Sequence, residues 1–214
     1  MGSKMRKLWM ALGLAALLGG GSASAQVETD LTNGDRVVSA ITMGEGDHVV
    51  IALHGSDNDR NFFFLGKGGQ LGRKLANAGF RVIAVTWSGR SGGFSEVDAA
   101  VAQARATGAL KVSLMGHSRG GQLAANYALQ QADGTIDTVI QLSSSDDQGL
   151  PMTRTKKLFV FSKYDRVANW QPAAFAKSAQ PKQLIEVGGG GHGVGALISE
   201  KPDLVRDVVR LLRQ

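Results

Sequence analysis

Short apolar, β-branched runs alternate along the chain with segments of helical periodicity from residue 36 onward. This alternation is typical of βαβ units, and it predicts a mostly parallel sheet with helices packed against it. Strands are predicted over residues 36–41, 48–53, 81–86, 111–115, 138–142, 157–161 and 182–187, and helices over 65–78, 94–107, 123–131, 170–178 and 204–212. The first two strands are expected to form a pair, joined by a turn at Gly44 and Gly46.

The length and composition are those of one globular domain. A chain of 214 residues fits a single buried core better than two. Hydrophobic residues make up 43% and charged residues 20%, which excludes a disordered or fibrous protein. The sequence contains no internal repeat or linker after its N-terminal segment, so we expect one domain over residues 26–214.

The N-terminal segment is typical of a secretory signal peptide. Basic residues in the first seven positions precede an apolar run over 8–18, and Ala-Ser-Ala follows at 23–25. We therefore predict a signal peptide over residues 1–25, cleavage before Gln26, and a secreted or periplasmic protein. The apolar run is too short to span a bilayer, so no stable membrane insertion is expected after cleavage. The alternative is an N-terminal helix of the folded domain.

Charge and residue usage exclude several kinds of partner. The signal segment holds three of the 24 basic residues, which leaves 21 basic against 18 acidic residues, a net charge of +3. The densest basic cluster, at Arg154, Lys156 and Lys157, has no interleaved aromatic residues, so no nucleic-acid surface is predicted. The chain has no cysteine, which excludes disulfides and thiolate chemistry. No pair of histidines has metal-ligand spacing, so we expect neither a metal nor a cofactor.

The segment Gly116-His117-Ser118-Arg119-Gly120 stands between a predicted buried strand and a predicted helix. A Gly-x-Ser-x-Gly sequence in this position is a nucleophile elbow, which holds a serine hydroxyl above the edge of a sheet on a tight turn. Ser118 is therefore the candidate nucleophile. Serine reacts only when a base removes its proton, and a histidine serves as that base when a carboxylate fixes its tautomer.

From about residue 36 to its end, the chain resembles the α/β-hydrolase superfamily. The resemblance implies an α/β-hydrolase fold, with a single mostly parallel central sheet and helices on both faces. Family members that carry a cap domain usually insert it between the strands predicted here at 138–142 and 157–161. That connection is short in this chain, so we expect no cap domain and an open site.

The resemblance also implies the remaining catalytic residues, because the family order is serine, acid, histidine. Asp165, in the loop after the strand at 157–161, matches the acid, and His192, in a glycine-rich loop, matches the histidine. Asp146 and Asp147, just after the preceding strand, are rival candidates for the acid.

Two backbone N–H groups form the oxyanion hole in this family. Arg119 supplies the first, and Ser56, which follows the family's His-Gly motif at His54 and Gly55, is the expected second donor, with Asp57 as the adjacent alternative. Aromatic residues in nearby loops are candidates to contact substrate, with ordinary packing of the loop bases as the alternative. They are Trp87, Trp170 and Phe62–Phe64.

These observations predict a secreted, monomeric serine hydrolase that cleaves small or exposed carboxylic esters through an acyl-enzyme intermediate. One alternative is a hydrolase that uses the same residues on amides or peptides. The other is a binding protein on the same scaffold without turnover, because a fold does not fix a function.

Overall fold

The computed structural model describes residues 25–34 and 36–214. It shows one eight-stranded sheet with the hydrogen-bonded order β1-β2-β4-β3-β5-β6-β7-β8. The strands are β1 (Val27–Asn33), β2 (Arg36–Met43), β3 (His48–Leu53), β4 (Arg81–Val85), β5 (Lys111–His117), β6 (Thr138–Leu142), β7 (Lys156–Ser162) and β8 (Lys182–Val187). The pairs β1–β2 and β2–β4 are antiparallel, and every other pair is parallel. The predicted mostly parallel sheet is confirmed.

Helices cover both faces of the sheet, as predicted. They are α1 (Leu71–Asn77), α2 (Phe94–Ala106), α3 (Arg119–Leu129), α4 (Gln171–Lys177), α5 (Val194–Glu200) and α6 (Leu204–Arg213). One core packs α2, α3 and α4 against the sheet, and the other packs α1, α5 and α6 against the opposite face. In β3, Ile51 points into the first core and Val50 into the second. A strand covered on both faces needs an unbroken apolar run, which is why β3 reads Val-Val-Ile-Ala-Leu.

The predicted pairing of the first two strands is wrong. β2 and β3 both form, but β4 lies between them, antiparallel to β2 and parallel to β3. The chain passes from β3 through α1 to β4, and this crossover places β4 beside β3 on the side where β2 would otherwise pair. The turn at Gly44 therefore joins two strands that are not neighbours.

Other differences concern local structure. α3 begins at Arg119, four residues before the predicted start at 123. β1 was not predicted, because Leu31 is its only buried residue and an exposed edge strand has no regular alternation. α5, just after the loop of His192, was also missed. α1 begins at Leu71 and not at 65, because Gly69 and Gln70 both have left-handed backbone angles that interrupt a helix.

The loops that follow the parallel strands meet at one edge of the sheet, where α/β proteins place their ligands. Residues 143–155, between β6 and β7, contain no helix or strand, so no cap domain is inserted there. Within the described residues, no helix combines the length and apolar character needed to cross a bilayer. The predicted signal peptide lies outside the described residues except for Ala25, and it stays a prediction, as do export and the monomeric state.

Candidate active site

Ser118 occupies a sharp turn between β5 and α3, with φ 54° and ψ −121°. A residue with a side chain rarely adopts such angles, and strain of this kind is common at active sites. A Cβ atom on Gly116 would lie 2.1 Å from the carbonyl oxygen of Gly120, and a Cβ atom on Gly120 would lie 2.1 Å from the carbonyl oxygen of Leu53. The turn can close only with glycine at both positions. The Ser118 backbone N–H also donates to the Leu142 carbonyl at 2.9 Å, which ties the turn to the end of β6.

Ser118, His192 and Asp165 form a continuous chain of hydrogen bonds. The Ser118 Oγ lies 3.0 Å from His192 Nε2, and His192 Nδ1 lies 2.7 Å from Asp165 Oδ2. A carboxylate accepts the Nδ1 proton, so Nε2 carries a free lone pair that faces the serine hydroxyl. The three side chains come from loops after β5, β7 and β8, so the parallel sheet brings them to one edge.

Asp165 is held firmly in the position that His192 requires. Its side chain is buried, and its Oδ1 accepts from the backbone N–H groups of Val167 at 2.9 Å and Ala168 at 3.4 Å. One carboxylate oxygen is therefore committed to the loop, which leaves the other directed at the imidazole.

The two rival carboxylates contact other partners. Asp146 is buried, and its Oδ1 accepts from the Gln148 backbone N–H at 3.0 Å. Burial raises the pKa of Asp146 above its ordinary value. Asp147 forms an exposed ion pair of 3.0 Å with Lys177. Of the three aspartates, Asp165 alone hydrogen-bonds His192.

The structure places both predicted oxyanion donors next to Ser118. Arg119 is the first residue of α3, where a backbone N–H has no partner within the helix. Ser56 lies on the loop after β3 and lines the same hollow as Ser118, and its hydroxyl donates to the Gly89 carbonyl at 3.1 Å. A Cβ atom on Gly55 would lie 3.1 Å from the Ser118 Cβ, so glycine lets this loop approach the serine closely.

An open hollow of about 470 Å³ lies above Ser118 and His192, and Ser56 and Asp57 form part of its wall. We call it the serine hollow. Phe62, one of the aromatic candidates, also lines it, whereas Phe63 and Phe64 pack into the core. Among the described residues, no group of three or more histidine, aspartate and glutamate side chains is arranged to hold a metal.

Neither predicted substrate-contacting tryptophan lines the serine hollow. Trp87 is buried beneath the loop of His54, where its indole N–H donates to the His54 carbonyl at 3.0 Å and its backbone N–H donates to His54 Nε2 at 3.3 Å. These two bonds hold the loop that carries Ser56. Trp170 is 55% exposed at the start of α4. Trp87 thus packs beneath the loop of His54 and also lines a second hollow beside α3.

Two side chains in the serine hollow were not singled out from the sequence as contacts of the site. Lys67 lies at its rim. His117 lies between Phe62 and His192, with ring centroids 4.9 Å and 5.1 Å away respectively. Burial, and then the nearby charge of His192, lower the pKa of His117 from 6.5 to about 4. His117 therefore stays neutral beside His192 at neutral pH.

The buried histidine makes folding sensitive to acid. The unfolded chain binds a proton at position 117 below pH 6.5, whereas the folded protein resists protonation there until about pH 4. The neutral His117 therefore contributes its full share of the stability above pH 6.5. As the pH falls from 6.5 toward 4, the free energy of unfolding decreases by about 3 kcal/mol on account of this residue. Burial lowers the pKa values of His48 and His54 as well, which adds to the loss.

Urea unfolding of the wild type and of His117→Phe between pH 7 and pH 4 measures this effect. The free energy of unfolding should fall less steeply in His117→Phe, because that variant has no proton to bind at this position. Equal slopes for the two proteins would contradict the assignment.

The family follows from comparison with known proteins. Residues 67–203 match the family model described as "Alpha/beta hydrolase family". The chain belongs to this α/β-hydrolase family. No curated protein matched the chain in a sequence comparison.

Several solved structures share the α/β-hydrolase fold of this chain. A dienelactone hydrolase from Anabaena variabilis has a TM-score of 0.66 and 18% identity, over 89% of this chain and 95% of its own. A predicted CIB-like hydrolase from Thermoplasma acidophilum has a TM-score of 0.66 and 20% identity, over 89% of this chain and 99% of its own. An esterase from Exiguobacterium antarcticum has a TM-score of 0.70 and 14% identity, over 88% of this chain and 100% of its own. At these identities the similarity establishes the fold.

Proposed function

We propose that this protein is a serine hydrolase that cleaves carboxylic esters, with Ser118 as nucleophile, His192 as general base and acid, and Asp165 as the orienting carboxylate. The observation that carries this proposal is the hydrogen-bonded series Ser118–His192–Asp165 beneath an open hollow. Membership of the α/β-hydrolase family supports it, as does the similarity to proteins named as esterases.

In the first half of the reaction, the Ser118 Oγ attacks the ester carbonyl carbon while His192 Nε2 takes the hydroxyl proton. The carbonyl oxygen becomes an oxyanion, and the backbone N–H groups of Arg119 and Ser56 donate to it. Collapse of this intermediate breaks the bond to the alcohol oxygen, which takes the proton from His192. The acyl group stays on Ser118 as an ester, and Asp165 remains ionised throughout.

In the second half, a water molecule attacks the acyl carbon and gives its proton to His192. The second oxyanion is held by the same two donors. Its collapse breaks the bond to the Ser118 Oγ, which recovers its proton from His192, and the carboxylic acid leaves. Each step uses only water and groups of the chain itself.

An ester is favoured over an amide by the shape of the site. An amine is a poor leaving group, and it leaves only when a pocket positions it to receive the proton of His192. The serine hollow is open, and the described residues between β6 and β7 form no cap domain over it. Such a site suits short-chain or exposed esters.

Hydrolysis of p-nitrophenyl acetate and butyrate, against the p-nitroanilides of the same acids, tests the proposal. We expect steady turnover of both esters and none of the anilides. Faster cleavage of the anilides would favour the amide-cleaving alternative. Failure to cleave any of the four compounds would favour a binding protein.

A further inference from the structure

A second hollow, of about 260 Å³, lies between the loop after β4 and the first turns of α3. Its polar wall consists of Arg90, Ser91, Arg119, Gln122 and Asn126, and we call it the arginine groove. Arg119, Gln122 and Asn126 recur at spacings of three and four, so they lie on one face of α3.

The positive charges of the groove have no carboxylate among the residues that line it. Nearby acids contact other groups: Glu96 pairs with Arg36 at 3.3 Å, and Asp98 accepts from Tyr127 at 2.7 Å. Arg90 contacts Asp57 at 3.5 Å, and both side chains are more than three-quarters exposed. An exposed pair of this kind contributes little, so Arg90 can exchange Asp57 for a bound anion.

The side chain of Arg119 is held in place across the groove. Its Nη1 donates to the Arg90 carbonyl at 2.8 Å, which leaves its other N–H groups available to a ligand. A planar guanidinium matches the two oxygens of a carboxylate, and such bidentate contacts are among the stronger hydrogen bonds of proteins.

The arginine groove adjoins the serine hollow. Arg119 directly follows Ser118, so the chain connects the two sites at that point. Asp57, which lines the serine hollow, contacts Arg90 of the groove, and Ser56 bonds to Gly89 next to Arg90. One small molecule can therefore present its ester to Ser118 and another part of itself to the groove.

We propose that the arginine groove is an anion subsite, and that the natural substrate is an ester that carries a carboxylate. This inference rests on the proposed ester hydrolysis at Ser118. The carboxylate binds Arg119 and Arg90 while the ester carbonyl lies at Ser118, and Gln122 and Asn126 supply neutral hydrogen bonds beside it. The preference for an anionic substrate therefore depends on side chains other than those of Ser118, His192 and Asp165.

Two matched pairs of substrates test the proposal, because the carboxylate can stand on either side of the ester. In the first pair the carboxylate is on the acyl side, and monomethyl adipate is compared with methyl hexanoate. In the second pair it is on the leaving group, and 4-acetoxybenzoate is compared with methyl 4-acetoxybenzoate. Cleavage of the second pair is measured by release of the phenol. We expect kcat/KM to be about tenfold higher for the anionic member of at least one pair. Equal or lower values for the anionic member of both pairs would overturn the anion subsite while leaving ester hydrolysis intact.

Variants locate the preference in the groove. Arg90→Glu should abolish or reverse the ratio of anionic to neutral kcat/KM. Arg206→Glu, which makes the same change of net charge at an exposed site on α6, should keep the wild-type ratio. A ratio that survives Arg90→Glu but is lost in Lys67→Glu would place the anion at Lys67 and overturn the assignment.

A binding measurement separates this inference from the proposed function. Calorimetric titration of the wild type and of Arg90→Glu with adipate needs no turnover. If no ester is cleaved, adipate binding by the wild type that is lost in Arg90→Glu would retain the anion site and reject the hydrolase. Absence of adipate binding by the wild type, together with equal cleavage of anionic and neutral esters, would reject the anion site alone.

Discussion

Ser118→Ala is expected to lower kcat for p-nitrophenyl butyrate by about a million-fold, because it removes the atom that attacks the carbonyl carbon. The substitution keeps the Cβ atom, so the backbone at φ 54° is no more strained in the variant than in the wild type. The fold and the hollow should therefore remain. Initial rates, corrected for spontaneous hydrolysis, measure the effect.

Ser199→Ala is the matched control for this experiment. Ser199 is an exposed serine of α5, outside the residues that line the serine hollow. That variant should retain the wild-type rate and melting temperature. Retention of more than a tenth of the wild-type rate by Ser118→Ala would show that another group performs the attack.

Asp165→Asn is expected to lower kcat by about ten-thousand-fold. The Asp165 Oδ2 now accepts the proton of His192 Nδ1 at 2.7 Å. An asparagine can keep its carbonyl oxygen on the N–H groups of Val167 and Ala168, which turns its NH₂ group toward the imidazole. The imidazole then carries its proton on Nε2 and cannot accept the proton of Ser118.

Asp146→Asn separates this role from the general effect of removing a carboxylate at this edge of the sheet. Asp146 is also buried, but it bonds to the Gln148 backbone, and burial raises its pKa. Its variant should keep kcat within a few-fold of the wild type. A large loss in Asp146→Asn with a small loss in Asp165→Asn would transfer the role of the acid to Asp146.

Sequence patterns predicted the elements that have two buried faces or one strong apolar stripe. β6, in which all five residues are buried, begins and ends at the predicted residues. Such segments carry a dense signal, because nearly every position is fixed by contact with the core. β1 carries almost no such signal, since Leu31 is the one residue of the strand that is buried.

The place of β4 in the sheet could not be predicted from local patterns. Adjacency in the chain suggested that β2 pairs with β3, whereas the order of strands depends on how each helix crosses the sheet. The residues of the turn at Gly44 are the same whether or not the two strands that it joins are neighbours in the sheet, so they do not predict the strand order.

The candidate site was predictable to the extent that chain order and local turns determine it. Gly116 and Gly120 make the elbow at Ser118 predictable, since any side chain at either position would collide with the backbone. Which aspartate reaches His192 depends on a distance across the sheet, so Asp146 and Asp147 remained rivals to Asp165 in the sequence. His117 lies beside His192, 75 positions further along the chain, and Trp87 hydrogen-bonds the His54 carbonyl. Neither contact could be predicted from the sequence, because both depend on tertiary packing.

Labelling of the protein with a fluorophosphonate tests the central claim most directly. This reagent phosphonylates a serine only when a base removes its proton and donors hold the developing oxyanion, so it reports on the assembled site and not on the motif. After proteolysis and mass spectrometry, we predict a single adduct on Ser118 in the wild type and none in Ser118→Ala. An unlabelled wild type, or a label on another residue, would contradict the account.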